Sequence, residues 1–329
     1  MSGVYPNLDA EDLETRVRTY LNEVSADFFT QADIWRWLSV GAKDIAQSST
    51  CIRRVLDAVT TSSTRTVTTN CYKVMHVEYI PSSGRPIMLT KIDPLRLGHY
   101  PIDGATPQYW YEYGVGSSQT IGIEPLPASA YALRLYVVDL PKMTYLTFAS
   151  FTEGVGATNW TESGTGWTLG TTAVHAGAVA DTLTYNTALG TANTNFTVVF
   201  NVSGVGAGGT ITPSIGGTNG IAVTTNGWHA QTIAGTTPWT MIFTATNSIT
   251  IDDLTIYKEA DFAATTDQTE LPTAWQHLLA LYATHSGLIK EKKLGAAQML
   301  ANIYFNEIAY LRQNIVEVIP DGKSDLIYT

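Results

Sequence analysis

The composition of this chain changes twice. From Ala149 to Ala260 it is rich in Thr, Gly and Asn, with Lys258 as its one basic residue and no arginine. The segments before and after carry helix caps, charged faces and apolar periodicity. Connections inside a compact domain are usually short, so a foreign stretch of this length must hold structure of its own. The pattern predicts one domain inserted into a loop of another. Residues 1–148 and 261–317 then form a discontinuous host, 149–260 the insert and 318–329 a C-terminal tail. The 329 residues agree with two domains, each long enough to bury a core.

The host predicts an α+β fold. Asp9 caps a first helix, with Asp12 three residues on, and Leu13, Val17, Tyr20, Leu21 and Val24 follow helical spacing. Phe28 and Phe29 mark a corner. Thr30, with Asp33, caps a second helix whose stripe is Ile34, Trp37, Leu38, Gly41 and Ile45. From Arg53 to Val138 the period becomes that of strands, forming a small antiparallel sheet. Pro81–Gly84 reads as a hairpin turn and Asp93–Leu97 as a single helical turn. Leu133, Leu135 and Val137 alternate with Ala132, Arg134 and Tyr136 as in a half-buried strand. Two long C-terminal helices follow the insert. One carries Trp275, Leu278, Leu279, Tyr282 and Ile289 on one face. After the solvated turn Lys290–Lys293 and Gly295, the other is lined by Leu300, Ile303, Tyr304, Leu311 and Ile315. Pro320 and Gly322 end it. The tail beyond has an apolar tip at Leu326, Ile327 and Tyr328, and either frays or docks on a partner.

The insert has no amphipathic helix. Short β-rich runs separated by Gly-Gly and Asn-Gly turns predict an all-β jelly-roll sandwich. Trp160, Trp167, Trp228 and Trp239 are either a stacking platform for sugar rings or plugs in its core. Asp252 and Asp253 offer a hard cation two carboxylates, but neighbours on a strand point to opposite faces.

Composition limits the function. The formal net charge is −10, a poor basis for gripping phosphate backbones. It suits a wall past which DNA slides. Cys51 and Cys71 read as reduced, buried thiols. No secretory signal pattern and no apolar run of membrane-spanning length is found, so no membrane partner is expected. No HExxH, CxxC, GxSxG or Walker A sequence occurs, and His277 and His285 lack a third ligand at metal spacing. Gly204–Gly209 lies between strands and is a turn, not a phosphate cradle. The expectation is a protein that is not an enzyme, with no catalytic residues, no cofactor and no metal.

Three stretches carry a resemblance. They are Leu13–Glu23 followed by Phe29–Leu38, the strand, Pro-x-Pro turn and strand of Thr120–Tyr136, and Leu271–Ala283 with the lysine turn and final helix. In these the host resembles the head-to-tail adaptor, or connector, proteins of tailed bacteriophages. The resemblance implies a structural ring of twelve copies beneath the portal protein, at the head–tail junction (neck) of a virion assembled in a bacterial cytoplasm. It implies portal docking by the tail, through Val318, Ile319, Pro320, Leu326, Ile327 and Tyr328. A tail nozzle or stopper protein would bind below, and DNA would pass through the lumen without sequence recognition. The insert, through Thr210–Gly220 and Ile249–Tyr257, is similar to carbohydrate-binding-module-like jelly rolls found on phage structural proteins. This implies either a glycan-binding surface or a decorative part.

Overall fold

The computed structural model describes residues 7–23, 28–69, 71–81, 85–95, 106–113, 119–148, 151, 160–186, 189, 195–235, 239–258 and 261–314. The chain divides into two compact units, Met1–Cys51 with Leu271–Thr329, and Ile52–Glu270. Helices and antiparallel sheets share the molecule, an α+β class. Both breaks in composition fall within the sequence range of the second unit.

The first unit is helical. In α1 (Ala10–Leu21) the Asp9 side chain accepts from the Asp12 amide, and Leu13, Val17 and Leu21 are buried. Tyr20 points to solvent, and Val24 lies outside the described residues. α2 (Gln31–Ser49) opens on a full capping box between Thr30 and Asp33. At the corner Phe29 is fully buried, while Phe28 stands exposed with its ring edge-on at 4.7 Å. A 3-10 turn (Thr273–Trp275) leads into α3 (His277–Lys290), and α4 (Leu294–Asn314) follows.

α3 packs against α1, α2 and α4. A helix surrounded on several sides cannot show a single apolar stripe. Its buried residues are Leu278, Leu279, Ala280, Ala283, Thr284, Gly287 and Leu288. The expected face is corrected here: Ile289 is exposed, and Trp275 is half-buried in the 3-10 turn. Close approach of α2 explains Gly41, because a Cβ there would meet the Tyr282 ring at 2.9 Å. In α4 the buried stripe is Ala297, Ala301, Tyr304, Ile308 and Leu311. The expected lining residue Ile303 faces solvent instead, Leu300 is half-buried and Ile315 lies outside the described residues.

In the second unit the expected small sheet is two sheets of four strands. One has the order β1 (Arg53–Val59), β8 (Ala132–Val138), β3 (Lys73–Ile80), β4 (Ile87–Met88). The other runs β2 (Thr66–Thr69), β7 (Gln119–Glu124), β6 (Tyr109–Tyr113), β5 (Thr90–Lys91), and its β5–β6 pair is parallel. Leu56, Val77, Leu133, Leu135 and Val137 of the first share a core with Val67, Trp110, Ile121 and Ile123 of the second. Gly122 is required there, since a Cβ would fall 2.1 Å from the Tyr111 ring. The hairpin turn's 82–84 and the helical turn's 96–97 lie outside the described residues.

Two further sheets form a sandwich. One is β10 (Trp160–Glu162), β13 (Asp181–Tyr185), β18 (Met241–Thr246), β15 (Thr210–Ile215), β16 (Thr218–Asn219). The facing sheet is β11 (Trp167–Leu169), β12 (Ala173–His175), β19 (Ile249–Lys258), β14 (Asn195–Ser203), β17 (Gly227–Ala234). Alternating residues of both sheets, such as Leu183, Ile211 and Phe243 against Val198, Phe200 and Ile251, build one core. β9 (Met143–Phe148) pairs with β19, and β20 (Gln268–Thr269) pairs with β9. The strands that enter and leave the sandwich are therefore bonded to each other and to its sheet.

Candidate functional site

The four tryptophans separate in the structure. Trp160, Trp167 and Trp239 are at most 5% exposed and sit in the sandwich core. Trp160 packs on Phe151 and Tyr185, Trp167 on His175 and Trp239 on Phe196. An indole so enclosed cannot stack on a sugar, so an exposed platform of four does not form. Trp228 is different, at 54% exposure on β17.

Register places Trp228 beside Asn201 of β14, and Asn201 beside Asp252 of β19. Three adjacent strands at about 4.8 Å spacing give a row about 10 Å long. Its residues alternate with the core residues Phe200, Val202 and Ile251, so the row lies on the solvent side. Between Val199↔Thr255 and Asn201↔Asp252, β19 advances one residue more than β14, which is a bulge. Asp253 sits in it with φ 48° and is exposed. The alternation expected to send Asp252 and Asp253 to opposite faces is interrupted there, and neither joins the core. Among the described residues no group of three or more His, Cys, Asp or Glu side chains is placed to hold a metal.

A second surface is the outer side of α4. Met299, Ile303 and Tyr310 are 42–62% exposed on the side opposite the buried stripe, and Leu294 and Phe305 flank that stripe, also exposed. Residues 294–306 contain no charged side chain. Uncharged apolar surface of this kind marks contact with another molecule more often than free solvent.

A buried ionic cluster lies where the sandwich meets its host sheet. Arg54 Nε donates to Asp139 Oδ2 at 3.0 Å, and its Nη2 pairs with Glu270. Lys142 Nζ meets the same Asp139 oxygen at 2.5 Å, and the Lys142 amide donates to Glu270 Oε1. The guanidinium also lies 4.5 Å from the centre of the Tyr257 ring. Burial pushes the Glu270 carboxyl above its ordinary range, with Arg54 opposing the shift. Each of its four charged groups is paired within the cluster. Burial likewise pushes the Cys71 thiol up to about 12, leaving it unreactive; Cys51 is half-buried, and neither cysteine is in a disulfide.

On α3, His277 Nδ1 lies 2.9 Å from the Ala274 carbonyl, and burial lowers His285 below its ordinary value. The proposed docking residues Val318, Ile319, Pro320, Leu326, Ile327 and Tyr328 lie outside the described residues. No helix among the described residues is long and apolar enough to cross a membrane.

The sequence profile of the SU10 adaptor protein family matches residues 8–195, more than half of the chain. The chain belongs to the SU10 adaptor family. This is a family of phage-related adaptors, and the match runs from α1 through both four-stranded sheets to the first residue of β14. α3 and α4 lie beyond it. No curated protein matches the chain.

Among solved structures, the tandem CBM22-1–CBM22-2 domain of Paenibacillus barcinonensis Xyn10C is 11% identical, with a TM-score of 0.24 over 63% of this chain and 79% of that one. The uncharacterized protein lmo2446 of Listeria monocytogenes EGD-e is 14% identical at a TM-score of 0.22, over 62% of this chain. A cycloalternan-forming enzyme of Listeria monocytogenes, solved with a pentasaccharide, is 12% identical at 0.22 over 62%. This SU10 adaptor family member spans 19% of each Listeria chain. Similarity at this level carries no argument about fold or activity.

Proposed function

We propose that this protein is a structural head-to-tail adaptor in the neck of a tailed-phage virion, and not an enzyme. Copies of the chain, twelve in the family reading, form a ring beneath the portal protein. A tail nozzle or stopper protein is received below, and DNA passes through the lumen. The observation that carries this reading is membership of the SU10 adaptor family. The uncharged apolar side of α4 supports it as surface for a neighbouring virion protein. A net charge of −10 suits passage, since attraction would retard the strand. In this reading residues 149–260 are an inserted jelly roll, and 318–329 dock on the portal.

Mass photometry of the full chain with the portal protein of its own phage tests this. The expected result is one copy bound per portal subunit, lost when the chain ends at Glu317 and weakened at least tenfold by Ile303→Asp. No association by the full chain overturns the reading.

A second reading has one specific observation behind it, the exposed Trp228 beside Asn201 and Asp252. An indole face with an amide and a carboxylate within about 10 Å suits a pyranose, stacked on its C–H face and bonded at its hydroxyls. Glycan-array binding abolished by Trp228→Ala in a folded protein is the expected outcome. Equal retention by wild type and variant rules this surface out.

A further inference from the structure

One histidine joins the sandwich to the sheet beside it. His229 lies on β17, and its side chain is 3% exposed. Its Nδ1 stands 2.8 Å from Asp57 Oδ2 on β1, and its Nε2 stands 3.0 Å from the carbonyl oxygen of Thr225. A carbonyl oxygen only accepts, so Nε2 carries a proton in this contact. An ionised carboxylate also only accepts, so Nδ1 carries one as well. A neutral imidazole has a single ring proton. It would leave a nitrogen lone pair facing an oxygen lone pair at hydrogen-bonding distance on a side chain only 3% exposed, which is costly.

A proton on Asp57 would satisfy the same count. The surroundings favour the ring. Arg134 of β8 stands directly across from Asp57, whose side chain keeps 19% of its exposure, and both conditions suit a carboxylate. Among the described residues, Glu78 of β3 also lies across from Arg134, and Tyr79 and Tyr131 line the same cleft. Phe200 of β14 is the cross-strand neighbour, with ring centroids 5.9 Å apart, and does not titrate.

We infer that His229 is a proton-operated latch between β1 and β17. As an imidazolium it holds the Asp57 carboxylate and the Thr225 carbonyl together. When the proton leaves, one of the two bonds is lost. The 221–225 segment and β1 then separate, and the cleft of about 530 Å³ bounded by Asp57, Tyr131, Arg134, Thr225 and His229 widens. Raising the pH removes the proton, so the latch holds in acid and loosens in base.

The test uses the full chain. Histidine ¹⁵N spectra, with His229 assigned by its loss in His229→Gln, report how many ring nitrogens carry protons. Hydrogen exchange of residues 221–232, corrected for intrinsic rates, reports opening. The expected result is a ring protonated on both nitrogens in acid that loses one proton as the pH is raised. Exchange in this segment rises about tenfold across that change, the equivalent of one charged hydrogen bond. Gln carries both of its N–H donors on one nitrogen, so it cannot reach the Asp57 and Thr225 oxygens from two sides as the ring does, and it is neutral at all pH values; His229→Gln therefore exchanges at the raised rate throughout. Asp57→Asn, which keeps the shape, also loses the pH dependence and serves if the first variant fails to fold. A ring with a single proton across the whole range overturns the latch, as does the same corrected exchange profile in wild type and Asp57→Asn.

Discussion

Arg54 is a buried cation with two carboxylate partners in the second unit. Its side chain is 6% exposed and answers two carboxylates, Asp139 and Glu270, from opposite ends of the sandwich insertion. Removing it leaves Glu270 buried with only the Lys142 amide and Asp139 with Lys142 as its one cation. Arg54→Ala is expected to cost about 3–5 kcal/mol. The exposed pair Lys91–Glu112 is the control, and Lys91→Ala is expected to cost at most about 1 kcal/mol. Urea denaturation of the two variants measures both. Near-equal losses would mean that the buried cluster contributes no more than a surface pair.

At the scale of elements, helix starts obey rules that operate over a few residues. Asp33 is held below the ordinary carboxylate range by its hydrogen bond from Thr30, with a smaller effect of Lys290. A folded-state value below the unfolded one gives stability that is present above the unfolded value. It is lost as the pH falls through the folded one. Asp33→Asn is therefore expected to lower stability near neutral pH by about 0.5 kcal/mol, a small figure because solvent screens the site. Thermal melts of wild type and variant should converge in acid; a gap that persists there refutes the assignment.

The same locality decides what the sequence makes legible. The Asp9 and Thr30 caps, the alternation around Leu133–Val137 and the strand-rich insert all depend on near neighbours, and they are read directly. The surroundings of α3 are not local, so a single apolar face was expected where the helix is buried on several sides. Indole burial is equally non-local. Trp160, Trp167, Trp228 and Trp239 look alike in sequence, and only the pairing of β17 with β14 sets Trp228 apart. The bulge at Asp253 depends on its partner strand, and His229 has Asp57 as its partner 172 residues away. Neither contact has a signal in the flanking residues.

For the whole molecule, the adaptor reading asks a chain of two units to serve a particle that must withstand pressure and movement. In the second unit, the strand leading into the sandwich, β9, runs antiparallel to β19, the strand leading out, and β20 adds to the other edge of β9. A sandwich tethered through two loose linkers would swing freely, and a pull on it would peel bonds one at a time. Here the two tethers are part of the sheet itself. A load drawing the sandwich away along its strands meets a row of backbone hydrogen bonds in shear, which must fail together. The appendage is in effect a bracket whose two arms are strands of its own sheet.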